Sequence, residues 1–95
     1  NGDQQQRGEQ VREALVAADG MLGEVLSRYG YSGATTTQIL HNIPEGAFVT
    51  LPSAWEAHRV HNFVVSPSSN FILTQRETFR VMKLYEQALE EFHVV

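Results

Sequence analysis

Between residues 5 and 29 apolar side chains return at alternating steps of four and three: Val11, Leu15, Ala18, Leu22, Val25 and Tyr29. That spacing lays them in one stripe along an α-helix. Ala14, Met21 and Leu26 widen the stripe, whereas Glu9, Arg12, Glu13 and Ser27 fall on other faces. Gly20 lies opposite the stripe and Gly23 on its flank. Each glycine costs a helix roughly 1 kcal/mol relative to alanine. Either the packed stripe tolerates both, or they let another backbone approach the back of the helix. Gly30 stands where a helix C-terminal glycine is expected.

Thr35-Thr36-Thr37 offers N-cap hydroxyls to a short helix running through Gln38, Ile39, Leu40, His41 and Asn42, which Pro44 stops. Residues 48–51 read as a short strand-like piece ahead of Pro52-Ser53-Ala54-Trp55. The β-branched and aromatic run 60–65, a proline-bearing loop at 67–70 and the run 71–74 together predict an antiparallel hairpin. Thr74 and Glu77 fit a capping box, and Phe79, Met82, Tyr85, Leu89 and Phe92 keep near-helical spacing behind it. The pattern therefore predicts an α+β fold: a long N-terminal amphipathic helix on a small antiparallel sheet, a short connecting helix and a C-terminal helix. Val11, Leu15, Leu22, Val25, Tyr29 and Trp55 are its expected core.

Ninety-five residues close one modest core, so residues 1–95 are read as a single domain. With 42% apolar and 19% charged residues the chain has the balance of a folded protein. The formal charge of −4, with one lysine and six scattered arginines, supplies no basic face and argues against nucleic acid as a partner. The absence of cysteine excludes disulfides and thiolate chemistry. No apolar run approaches the roughly 20 residues that span a bilayer.

Candidate chemistry is sparse. His58 and His61, with Glu56 nearby, have ligand chemistry, but if Val60 opens a strand, residues three apart point to opposite faces and do not converge on one ion. No metal and no cofactor are expected on that reading. The serines sit in turn-like stretches, Gly30-Tyr31-Ser32-Gly33 lacks the lysine and spacing of a phosphate loop, and Glu90-Glu91 reads as a solvated helix face. No catalytic constellation emerges, and the chain is read as a non-enzyme.

Tyr31-Ser32-Gly33-Ala34-Thr35-Thr36, Ile39-Leu40, Ile43-Pro44, Leu51-Pro52-Ser53-Ala54-Trp55 and the segment ending Phe71-Ile72-Leu73-Thr74 follow one another in an order and approximate spacing that resemble the soluble part of type IVb pilins and related minor pilins. The resemblance implies a structural subunit of an extracellular or periplasmic filament, with copies of itself or related pilins as partners. Residues 1–29 would be the C-terminal half of a stem helix. The membrane would enter only through an apolar segment upstream of Asn1, anchored in the inner membrane before assembly. On that reading Arg12, Glu13, Gly20, Gly23, Glu24 and Ser27 form the arc that meets neighbouring subunits.

Two alternatives stand beside it. Ala17-Ala18, Gly30-Tyr31 and Thr35-Thr36 with Ile39 also resemble the start of tetracycline-repressor-type helix-turn-helix domains, although Pro44-Glu45-Gly46 stands where a recognition helix would follow. Composition and periodicity equally permit a small cytoplasmic adaptor or chaperone-like dimerisation module.

Overall fold

A computed structural model describes residues 2–67 and 73–92, with side chains from Arg7 onward. Its elements are α1 (Gly2–Arg28), α2 (Thr36–His41), α3 (Leu51–Val65) and α4 (Gln75–Glu91). No strand occurs among the described residues. The fold is all-helical, and the α+β expectation with its antiparallel sheet is overturned. Residues 60–65, expected as a strand, are the last turns of α3; the 48–51 piece is a turn leading into that helix; Phe71 and Ile72 lie outside the described residues.

The error has a physical cause. Local propensity favours a strand for the β-branched run ending in Val65, and burial on a longer period overrides it. Leu51, Ala54, Ala57, His58, Val60 and Val64 are the buried residues of α3, at steps of mostly three and four. Counting alanine and histidine as core positions reveals that stripe. Pro52 fits the first turn, where a missing N–H costs nothing.

The other helix signals are realised in detail. At the end of α1, Gly30 takes φ +97° and the Tyr31 N–H bonds the Leu26 carbonyl while the Gly30 N–H bonds that of Ser27, a Schellman closure. Thr35 caps α2 by accepting from the Gln38 N–H. At the start of α4 the Glu77 N–H donates to Thr74 Oγ1 at 3.1 Å, and the Thr74 N–H donates to Glu77 Oε1 at 3.0 Å.

Helix α1 packs along both α3 and α4, which pack on each other, and α2 lies across α1 and α3. Leu15, Leu22, Val25 and Leu26 of α1 enter one core with Leu40, Ala54, Val81 and Tyr85. Val11 and Trp55 are half-buried against it. Tyr29 is not core: it is 57% exposed, and its ring lies 4.7 Å from that of Phe92.

The two helical glycines of α1 differ. A Cβ on Gly20 would meet nothing within 4 Å, whereas one on Gly23 would stand 2.6 Å from Thr36 Oγ1. That hydroxyl donates to the Asp19 carbonyl at 3.3 Å, so α2 is seated on α1 across the gap Gly23 leaves. Gly20→Ala should raise the melting temperature by about 4–8 °C, through roughly 1 kcal/mol of helix propensity. Gly23→Ala should melt below wild type, because its methyl displaces Thr36. Equal gains from both substitutions in a thermal scan would show that α2 does not rest on Gly23.

Candidate functional site

Two places on this frame carry more than packing. The first is a buried polar cluster between α1, α3 and α4. Asp19 lies one turn beyond Leu15 and one before Leu22, within the buried face of α1, and its carboxylate is held from two sides. His58 Nδ1 is 2.7 Å from Asp19 Oδ2, and the Tyr85 hydroxyl donates to the same oxygen at 2.7 Å. Asp19, His58 and Tyr85 are each at most 4% exposed. Because α3 is a helix, His58 and His61 share a face: their rings are 15° from parallel with centroids 5.7 Å apart, and His61 Nδ1 lies 3.8 Å from Asp19 Oδ2. Divergence of the two imidazoles requires a strand from Val60, and residues 60–65 are helical instead.

On its far side His58 Nε2 is 2.6 Å from Thr37 Oγ1 and 3.1 Å from Asn62 Nδ2. Both groups donate to that nitrogen when the proton sits on Nδ1, so the network is complete with a neutral His58 and an ionised Asp19. Among the described residues no buried side-chain nitrogen or oxygen lacks a partner. Burial pushes the Asp19 carboxyl upward, but hydrogen bonds from His58 and Tyr85 and the nearby imidazoles more than offset it, leaving its pKa below the usual range. Burial, reinforced by the bond to Asp19, raises the Tyr85 phenol well above the ordinary tyrosine value.

Asp19, His58 and Thr37 form a line with the donor order of a nucleophilic triad, and its threonine end borders a cleft of about 570 Å³ lined also by Trp55 and Asn62. Acyl transfer further needs donors aimed at a developing oxyanion. The polar groups beside Thr37 are committed elsewhere: the Asn62 amide to His58, and the Arg59 guanidinium to both oxygens of Glu56. We assign the line no nucleophilic role.

The second place is an apolar groove of about 870 Å³ between α2, the 43–50 loop and the start of α3. Leu40, Ile43 and Leu51 form its floor, Phe48 and Trp55 its walls, and Val49, 88% exposed, its rim. Glu91 fixes the loop from α4: its carboxylate accepts the N–H groups of Val49 and Thr50, at 3.0 and 2.7 Å, and the Thr50 hydroxyl. The Thr50 hydroxyl bond is foremost in holding the Glu91 carboxyl below its usual range. Phe48 is braced by Phe92 and Tyr31, with ring centroids 5.0 and 6.4 Å away.

Of the residues assigned to a filament-contact arc, one is covered. Arg12, Glu13, Gly20, Glu24 and Ser27 are exposed, but Gly23 is buried beneath Thr36. Arg12 donates to the Val65 carbonyl at 3.1 Å, and Glu24 pairs with Arg28 at 2.9 Å. Sequence reasoning missed Asp19, Thr37 and Tyr85 as site residues. The available signal was a carboxylate inside the Leu15–Leu22 stripe, where an unpaired charge is not tolerated and partners must exist.

No protein-family model matches the chain, and no significantly similar curated protein or solved structure was found. No helix among the described residues is long and apolar enough to cross a membrane.

Proposed function

We propose that this protein is a non-catalytic helical interaction module whose apolar groove takes an amphipathic, basic segment of a partner protein. The observation that carries the reading is the make-up of the groove. Its floor and walls are apolar, and its charged lining residues are two carboxylates, Glu45 and Glu91, with no lysine or arginine. An apolar channel with an acidic margin complements a helix or extended segment that offers aliphatic anchors flanked by lysine or arginine. The formal charge of −4 steers the same class of partner. The bond from the Val49 N–H to Glu91 ties down the loop that carries Val49, whose side chain stands exposed at the margin.

The filament reading keeps a protein partner but needs a sheet beneath its stem helix; α1 lies on α3 and α4 instead. The helix-turn-helix reading needs a tight turn ahead of a recognition helix, whereas residues 42–50 separate α2 from α3.

Trp55, the single tryptophan, lines the groove and reports on it. Titration with a synthetic amphipathic Leu/Lys peptide should shift Trp55 emission to the blue and saturate at one peptide per chain. Val49→Lys, which replaces an apolar rim contact with a charge of the same sign as the peptide, should weaken that binding by roughly tenfold or more while leaving the fold intact. A Leu/Glu peptide of the same length should not bind. No response to the Leu/Lys peptide, equal response to both peptides, or a concentration-dependent dimer dispersed by Val49→Lys would each overturn the assignment, the last by making a second copy the occupant.

A further inference from the structure

We infer that Asp19, His58 and His61 form a binding site for one first-row divalent metal ion, zinc being the type, that ties α1 to α3. Their donor atoms lie within 4.8 Å of one another, and the three residues are presented by two packed helices, His58 and His61 from the same face of α3. Two imidazoles and a carboxylate are a donor set for zinc and its neighbours rather than for magnesium or calcium, which take oxygen ligands.

Two of the three donor separations already lie near those an ion requires. Ligand atoms about 2.0–2.2 Å from a tetrahedral ion are roughly 3.3 Å from one another. The existing separations from Asp19 Oδ2, 2.7 Å to His58 Nδ1 and 3.8 Å to His61 Nδ1, bracket that value. Entry of the ion opens the first gap and closes the second, each by about half an ångström, within reach of imidazole rotation. The His61 side chain is 14% exposed against 4% for His58, so the site has one solvent-facing edge through which an ion enters and a water completes its coordination.

The protons balance without any group becoming buried and unpaired. In the metal-free network His58 carries its proton on Nδ1, directed at Asp19, and Nε2 accepts from Thr37 and Asn62. When Nδ1 binds the ion, the proton resides on Nε2 and is donated to Thr37 Oγ1, 2.6 Å away. A hydroxyl either donates or accepts by rotating. Asn62 is equally adaptable: its Oδ1 is 3.0 Å from His61 Nδ1 and its Nδ2 is 3.1 Å from His58 Nε2. Turning the amide over presents oxygen to the His58 Nε2–H just as His61 Nδ1 leaves it for the ion. The Tyr85 hydroxyl continues to donate to the Asp19 carboxylate, fixing its orientation. Every partner around the three ligands thus suits both the empty and the filled state.

Tag-free protein, stripped with chelator and dialysed into a non-coordinating buffer, should bind one Co²⁺ per chain with the strong visible d–d absorption of a four-coordinate site, and Zn²⁺ should displace it. Zinc at about 100-fold above its Kd should raise the melting temperature by roughly 10–20 °C, with no effect of Mg²⁺ at the same concentration. His61→Ala, a substitution at a partly exposed position, should fold and lose both signals. The double variant Thr37→Val/Asn62→Leu should weaken zinc binding about tenfold or more by removing both acceptors of the His58 Nε2–H. Absence of d–d absorption and of a thermal shift at millimolar Co²⁺ would overturn the site. So would a His61→Ala protein that binds Co²⁺ as wild type does. Unchanged affinity in Thr37→Val/Asn62→Leu would overturn the proton arrangement around His58.

Discussion

Asp19→Ala should cost about 2–4 kcal/mol of folding stability, because it removes the acceptor shared by two buried donors, leaving the His58 Nδ1–H unsatisfied and the Tyr85 hydroxyl with a weaker partner. The His58 Nδ1–H loses its only close carboxylate, and the Tyr85 hydroxyl keeps only the Ala57 carbonyl at 3.3 Å. Both groups are nearly inaccessible to water, so solvent does not replace what is lost. A domain of this size has about 5–15 kcal/mol in total, so the loss is a large share of its stability. Asp19→Asn, which retains an acceptor oxygen without the charge, should lose less. Urea unfolding followed by Trp55 emission measures both variants. A loss below about 1 kcal/mol for Asp19→Ala would mean that water enters the cluster and the carboxylate is not structurally required. The pair itself is not thereby shown to be net stabilising, since well-packed apolar replacements of whole buried ionic clusters are often neutral or better. A buried carboxylate beside two imidazoles in so small a core is the arrangement that the metal titration addresses directly.

Three of the four helices were legible in the sequence because each carried redundant signals. For α1 a stripe over five turns agreed with Gly30; for α2 a threonine cap stood ahead of Ile39 and Leu40; for α4 the Thr74–Glu77 box opened a periodic run. Helix α3 offered conflicting cues. Its C-terminal half is Val, Phe, Val and Val among polar residues, a strand by propensity, and its buried face includes Ala54, Ala57 and His58, which a search for large aliphatic side chains passes over. Misreading that one element removed the polar cluster as well. His58 and His61 meet only on a helix, and Asp19 acquires partners only when that helix lies against α1. The groove was beyond sequence reasoning for a different reason: it is made by the 43–50 loop, whose position depends on the bonds from Val49 and Thr50 to Glu91, more than 40 residues along the chain.

Leu22→Ala should destabilise the fold by about 2–5 kcal/mol, the transfer cost of the missing atoms plus that of the cavity they leave. Leu22 has no exposed surface, and it lies in the part of α1 that faces both the seat of α2 and the core shared with α3 and α4. Its position limits relaxation: Gly23 beside it is already in contact with Thr36, and Leu15, Leu26, Val81 and Tyr85, all within the same cluster, are themselves fully buried. A void there is therefore not easily filled by movement of a neighbouring helix. Val11→Ala provides the internal comparison. Val11 belongs to the same stripe but is only half-buried near the N-terminal end, so its truncation should cost about 1 kcal/mol. The contrast separates a stripe buried within its own domain from one kept for a partner, because a partner-facing stripe would leave both truncations nearly silent in the isolated chain. Chemical denaturation of the two variants and wild type, with a common m-value, gives the comparison directly. Similar small losses for both would place the stripe outside the core and, with it, undo the packing that brings Asp19 to His58.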